Sequence, residues 1–306
     1  MAAKPPRNLP PGEGGRQKDE GHGELPEVVY IGTGAYCVRH GQVTVGGSTY
    51  GVYDNVRSRQ IDVESRAPGE SILLTESCTE VGNVTSAGGI LVLGNLKAGN
   101  IRADEGVVFY RELEASGDVV SFHGDISGNN SISARRIDAE GSIQINRGLL
   151  SARVIRSEKG SVLNKGGDIA GKEIRAYGGE ERGVFAFGGK VRAIEGIDKS
   201  ECYVWTPHGS VMGSGGISTG RIFAAGRVMT LNGDLELDGN SYFTGARIGG
   251  SVVVTGEGVL YYTKELSYSG VLRPGEGGVR QVARLPKDPF FDFEANWRFH
   301  PPRKPR

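Results

Sequence analysis

Residues 139–156 (A-E-G-S-I-Q-I-N-R-G-L-L-S-A-R-V-I-R) and residues 157–175 (S-E-K-G-S-V-L-N-K-G-G-D-I-A-G-K-E-I-R) are two copies of one degenerate repeat. Each copy contains a glycine, an alternating apolar pair, an asparagine, a second glycine and a further alternating run. A unit of about 18 residues with only a few short strands cannot bury its own apolar side, so it must stack on its neighbours.

The same pattern extends from Ser71 to Gly270 and includes residues 225–240. Of the 13 prolines, five precede Glu27 and six follow Leu272. Because proline is excluded from central strands, the middle of the chain is predicted to be one hydrogen-bonded β body. The prediction is an all-β fold: a single right-handed parallel β-helix, or β-solenoid, of about eleven coils at a spacing of about 4.8 Å. The right hand follows the precedent of such folds.

The composition changes along the chain predict four regions. Residues 1–26 form a Pro/Gly-rich tail that is too polar to fold alone, and residues 27–70 form a small β cap region. Residues 71–273 form the β-solenoid, and residues 274–306 form a Pro-rich basic tail with an aromatic cluster. We expect both tails to be disordered.

A recurring dipeptide indicates which side chains face inward. Copies of the repeat end in Ile101-Arg102, Ile155-Arg156 and Ile174-Arg175, and Ile137-Asp138 is a fourth with the opposite charge. Since side chains alternate along a strand, the isoleucines are predicted to form an internal ladder and the charges an external one.

Charge and cysteine content exclude several classes of protein. The 36 basic and 36 acidic residues leave no net charge, which argues against nucleic-acid binding through a broad basic face. The three cysteines are far apart, so neither a zinc site nor a disulfide framework is expected. No apolar run is long enough for a transmembrane helix, and the N-terminus does not resemble a Sec signal. We expect a cytoplasmic protein, unless it is exported by a non-Sec route or belongs to a virion.

Two aromatic groups are candidate interaction sites. The first interrupts the repeat and could stack on sugar rings or pack internally; it comprises Tyr177, Phe185, Phe187, Tyr203 and Trp205. The second lies in the C-terminal tail and comprises Phe290, Phe291, Phe293, Trp297 and Phe299. Five large aromatic side chains in a polar tail are unfavourable to leave in water, so they are expected to cap the chain's own last coil or to bind another chain.

No residues are predicted to be catalytic, to bind a cofactor or to bind a metal ion. The glycine-rich stretches do not open helices, which a phosphate-binding loop requires. The acidic residues Asp118, Asp125, Asp168, Asp234 and Asp238 could act in a polysaccharide-processing enzyme, although most follow glycine and look like corner residues.

The repeat resembles that of bactofilins and related polymer-forming bacterial β-solenoids. The resemblance lies in residues 124–128 (G-D-I-S-G), 167–171 (G-D-I-A-G) and 233–239 (G-D-L-E-L-D-G). It implies a non-enzymatic structural scaffold that forms homo-oligomers or filaments through its solenoid ends, with tails that recruit protein partners. Two alternatives stay open: a binding module such as a phage fibre, adhesin or exported effector that recognises glycans or a protein, and a polysaccharide-processing β-helix enzyme.

Overall fold

The computed structural model describes residues 27–31, 34–45, 47–65, 67–177, 183–193 and 202–285. Every regular element among these residues is a β-strand, and the strands form one continuous sheet that winds into a three-sided β-solenoid. Twelve strands stack on each side, which we name faces A, B and C, so that the chain makes about eleven turns. The predicted all-β solenoid is confirmed.

The strands of the three faces follow one another in chain order. Two strands, β1 (Glu27–Ile31) and β2 (Gly34–Val45), precede the coils. Face A contains β3 (Ser48–Asp54), β6 (Ser71–Leu74), β9 (Ile90–Val92), β12 (Val107–Phe109), β15 (Ile126–Gly128), β17 (Ile143–Ile145), β19 (Val162–Asn164), β22 (Gly183–Ala186), β25 (Ser210–Gly213), the second halves of β27 (Arg221–Met229) and β29 (Ser241–Ile248), and β32 (Leu266–Tyr268).

Face B contains β4 (Arg57–Ser58), β7 (Glu80–Val81), β10 (Leu96–Ala98), β13 (Leu113–Ala115), the first halves of β16 (Ile132–Ala139) and β18 (Leu150–Ser157), β20 (Ile169–Gly171), β23 (Val191–Ala193), β26 (Ile217–Thr219), β28 (Leu235–Leu237), β30 (Val252–Val254) and β33 (Leu272–Arg273). Face C contains β5 (Val63–Glu64), β8 (Val84–Ser86), β11 (Ile101–Ala103), β14 (Asp118–Ser121), the second halves of β16 and β18, β21 (Glu173–Ala176), β24 (Tyr203–Thr206), the first halves of β27 and β29, β31 (Leu260–Tyr262) and β34 (Val279–Gln281).

The coils are regular at first and then lengthen. From Ile72 to Val162, the stacked partners on face A keep the predicted period of about 18 residues. The next two steps are longer, because Val162 stacks on Val184 and Val184 stacks on Val211. The extra length falls between the strands of face C and those of the neighbouring faces, which explains the break in the repeat between Tyr177 and Gly209.

The predicted isoleucine ladder is confirmed. Ile137, Ile155 and Ile174 occupy one inward column of face C, pair in register and are fully buried. Full burial of one such side chain contributes about 1.5–3 kcal/mol. A column of this kind on each face makes up a thin core that runs the length of the solenoid.

Close approach of successive coils explains several corner glycines. The Oδ1 atom of Asp125 accepts the N–H of Ser142 at 2.6 Å, and that of Asp234 accepts the N–H of Ser251 at 2.7 Å. A Cβ atom on Gly141 or Gly250, the residue before each serine, would clash with that carboxylate oxygen. Neither glycine has a positive φ, so room for the neighbouring coil, and not left-handed backbone, is what these two positions require.

The two ends of the solenoid extend beyond the boundaries that the sequence suggested. β1 and β2 pair antiparallel, β2 pairs antiparallel with β3, and β3 then pairs parallel with β6. The first coil, β3–β5, therefore begins at Ser48, inside the region assigned to the cap. At the other end, β34 stacks on β31 although it lies in the segment assigned to the C-terminal tail.

Candidate functional site

One outward column on face C combines buried charges with aromatic rings, and we name it the outer column of face C. The pairing of strands places one residue of each coil in this column. From the third coil to the last, these residues are Arg102, Val120, Asp138, Arg156, Arg175, Trp205, Phe223, Tyr242, Tyr261 and Arg280.

The charged part of this column points outward as predicted, yet most of it is buried. Arg102 is exposed, whereas Asp138, Arg156 and Arg175 are only 3, 7 and 5% exposed. Each buried charge has an opposite charge two residues away: Arg136 pairs with Asp138, Arg156 Nη2 lies 2.5 Å from Glu158 Oε1, and Arg175 Nη2 lies 3.2 Å from Glu173 Oε2. Such pairing offsets the desolvation that burying these charges costs.

The aromatic part forms a small cluster outside the main core. Tyr203, Trp205 and Phe223 are each less than a tenth exposed, and Tyr177 and Tyr242 pack against them. The rings of Tyr177 and Trp205 meet edge to face with their centroids 4.4 Å apart. This geometry contributes about 0.5–1.5 kcal/mol beyond the area that the rings bury.

Tyr203 joins the charged part of the column to the aromatic part. Its hydroxyl donates a hydrogen bond to Glu173 Oε2 at 3.0 Å, and the Arg175 guanidinium lies over its ring at 5.0 Å. Glu173 therefore holds both Arg175 and Tyr203. This contact fixes the orientation of the ring that begins the aromatic cluster.

Nearer the C-terminal end, the column continues as a stacked pair. The rings of Tyr242 and Tyr261 are 4.8 Å apart and parallel to within 3°, and both side chains are half-buried. Burial and the neighbouring Tyr261 raise the pKa of Tyr242, although Arg221 opposes that shift. Part of each of these two aromatic side chains remains accessible to solvent.

The structure divides the first predicted aromatic group between two faces. Tyr177, Tyr203 and Trp205 come together on face C, whereas Phe185 and Phe187 stack on each other at 5.8 Å on face A. Neither phenylalanine is part of the aromatic cluster of face C.

Three aromatic residues of the outer column were missed from the sequence. Trp205 stacks on Phe223, Phe223 on Tyr242, and Tyr242 on Tyr261, one residue from each successive coil. Applying the period of the repeat to the aromatic positions would have identified them. The second predicted group, Phe290, Phe291, Phe293, Trp297 and Phe299, lies outside the described residues.

The first coil has a closed interior. Its inward residues Val56, Ile61 and Val63 are 0, 7 and 1% exposed, and β2 pairs along the edge of β3. On face A of this end, the backbone groups of the first coil are thus already engaged in an antiparallel ladder.

The last coil is open. Its inward residues Leu266, Leu272 and Val279 pack against the core from one side and are only partly buried, and Tyr268 beside them is 40% exposed. Among the described residues, no strand pairs with the outer side of β32, β33 or β34. We name this surface, formed by the three last strands, the open end.

Backbone groups of the open end point away from the solenoid. Ser269 donates its N–H to the Ile248 carbonyl at 3.1 Å, and Val282 donates its N–H to the Tyr262 carbonyl at 2.8 Å. Because successive residues of a strand direct their backbone groups to opposite sides, the groups of Tyr268 and Gln281 face outward. A row of this kind is a template for another strand.

The candidate acidic residues serve as structural links. Asp125, Asp168 and Asp234 each accept the backbone N–H of a residue in the next coil at 2.6–2.7 Å, whereas Asp118 pairs with Arg135 and Asp238 with Thr255. This arrangement matches the prediction that they are corner residues. In the part of the chain that the structure describes, no three His, Cys, Asp or Glu side chains are grouped as metal ligands would be.

Comparisons with known proteins identify no relative. No family model matches the chain, and no curated protein or solved structure matches it either. The resemblance to bactofilins therefore stays a prediction. Within the described residues, no helix has the length and apolar character needed to cross a bilayer.

Proposed function

We propose that this protein is a non-enzymatic, bactofilin-like scaffold of the cytoplasm that self-associates end to end. The observation that carries the proposal is the open end. It combines outward backbone groups with the partly exposed apolar residues Leu266, Leu272 and Val279. A stack of coils supplies its own partners everywhere except at its two end coils, so a last coil with one open side favours association with another chain.

The mechanism is strand addition between copies. Strands of a second copy pair with β32, β33 and β34, and the three apolar side chains become buried between the two solenoids. Two open ends that meet each other give a closed two-fold dimer, whereas a filament also requires contacts at the N-terminal ends. The two tails would recruit protein partners.

Electron microscopy and sedimentation velocity of the purified full chain test this proposal. We expect end-to-end particles, at least twice as long as one solenoid, that form without nucleotide. In the variant Leu272→Asp, a charge at the open end should weaken association at least tenfold because that charge would have to be buried.

Arg273→Asp is the matched control, since it places the same charge on the adjacent, exposed residue. It should associate like the wild type, and circular dichroism melting checks that both variants fold. Side-by-side association, monomers at every concentration, or equal effects of the two variants would contradict the proposal.

A second candidate function is binding of a glycan at face C, as in an adhesin, a phage fibre or an exported effector. The half-buried side chains of Tyr242 and Tyr261 favour it, because partly accessible aromatic side chains can pack against the apolar faces of sugars. Screening a glycan array with the wild type, Tyr261→Ala and the control Tyr110→Ala tests it. Binding lost only in Tyr261→Ala supports this function, and binding unchanged in all three contradicts it.

A further inference from the structure

The open end has a second candidate occupant within the same chain. We infer that the C-terminal segment, residues 286–306, covers the open end of its own solenoid and competes there with a second copy. This inference rests on the proposed function, because it assigns a regulator to the same surface. The position, length and chemistry of the segment support its binding at the open end.

The position of the segment places it at this surface. β34 is the last strand among the described residues, and Val282 donates its N–H to the carbonyl of Tyr262 in the preceding coil. The described chain ends shortly afterwards, at Leu285. Residue 286 therefore follows directly from the open end, and the segment need not span any other part of the molecule to reach it.

The length of the segment is that of one further coil. Residues 286–306 are about as many as separate Ala246 from Leu266, which are stacked partners in the last two coils of face A. A chain of this length is enough to pass once around the open end along β32, β33 and β34.

The composition of the segment matches what the open end lacks. Residues 290–299 include five aromatic side chains, each able to bury about 150–250 Å². The open end has apolar surface to cover, since Leu266, Leu272 and Val279 are only partly buried. Prolines flank this stretch at residues 286, 289, 301, 302 and 305. Proline cannot donate to a ladder, so a covering segment rich in proline would stop further strand addition.

Covering the open end and joining a second copy exclude each other. The outward backbone groups of Tyr268 and of Gln281 can each pair with only one strand at a time. The apolar residues of the open end can likewise be covered either by the segment or by a second copy, but not by both. Release of the segment is therefore the step that would make a chain competent to associate.

The test uses the full chain and the variant Phe290→Ser/Phe291→Ser/Phe293→Ser, with Arg303→Ser/Lys304→Ser as a control within the same segment. The chain has two tryptophans, so subtracting the emission of Trp297→Phe from that of the wild type isolates Trp297. In dilute monomer, the fluorescence of Trp297 should have its maximum at short wavelength and should be quenched only weakly by acrylamide. The triple variant, with its own Trp297→Phe counterpart for subtraction, should show at least threefold stronger quenching.

The triple variant should also associate at a concentration at least tenfold lower than the wild type, while the control behaves like the wild type in both measurements. Circular dichroism melting confirms that the variants fold. A solvent-exposed Trp297 in the wild-type monomer, or association unaltered by the triple variant, overturns the inference and leaves the proposed function standing. A buried Trp297 with no association by either protein supports the covering segment and contradicts the proposed function.

Discussion

The two ends of the solenoid are built from the same kind of coil but are finished differently. At the first coil, Val56 and Val63 are buried and β2 occupies the edge of β3. At the last coil, Leu266, Leu272 and Val279 have a partner coil on one side only. A repeat buries its core because it has neighbours on both sides, so the sequence at each end determines whether the stack stops there or continues in another chain.

The largest loss of unfolding free energy is expected for a substitution in a middle coil, which has neighbouring coils on both sides. Trp205→Ala removes the buried centre of the aromatic cluster and should lower the free energy of unfolding by about 3–5 kcal/mol. Arg102→Ala, in the same outer column but exposed, should change it by less than about 0.5 kcal/mol. Urea denaturation followed by circular dichroism measures both. Similar costs would show that the outer column is not buried in its aromatic part.

The ends themselves differ in the cost of removing a core side chain. Ile61→Ala in the first coil should cost about 2–5 kcal/mol, because the side chain is buried in the core. Leu272→Ala should cost roughly half as much in dilute monomer of the variant Phe290→Ser/Phe291→Ser/Phe293→Ser, where the C-terminal segment is released, because its side chain is only partly buried. Equal costs of the two substitutions in that monomer would mean that the last coil is not open.

Features that follow from the repeat pattern could be predicted from the sequence, whereas features that depend on contacts between coils could not. The inward column of Ile137, Ile155 and Ile174 follows from alternation and period alone. The burial of Arg156 could not be predicted, because it depends on Glu158 and on the neighbouring coil. The assignment of Val279–Gln281 to the solenoid could not be predicted either, because the Pro-rich, basic sequence that begins at Pro274 suggests a tail.

Removing the hydroxyl of Tyr203, in a middle coil, should lower the free energy of unfolding by less than the substitutions of buried residues above. Tyr203→Phe removes its hydrogen bond to Glu173, which Arg175 also contacts, and should cost about 1 kcal/mol. Tyr262→Phe, nearer the open end and half-buried, is a suitable control and should cost less. The same denaturation experiment compares them, and a larger loss in Tyr262→Phe would contradict the assigned role of Tyr203.

The smallest expected effect is a loss of stability at alkaline pH caused by deprotonation of Tyr242. Burial raises the pKa of Tyr242 above its unfolded value of about 10, so the neutral phenol is favoured in the folded protein. Its contribution is fully present below pH 10 and is lost as the pH rises through the folded pKa. The melting temperature should therefore fall less steeply between pH 9 and 12 in Tyr242→Phe than in the wild type. Identical pH profiles would exclude this role.

Amide hydrogen exchange at low and high protein concentration tests the central claim most directly, because it reports on the edge itself. Peptides from residues 264–282 of the variant Phe290→Ser/Phe291→Ser/Phe293→Ser, in which the C-terminal segment is released from the open end, should exchange more slowly in the concentrated sample, as the outward groups of Tyr268 and Gln281 pair with a second copy. Peptides from β2 and β3 should not change. Equal exchange at both concentrations, or protection that develops only at β2 and β3, would contradict association through the open end.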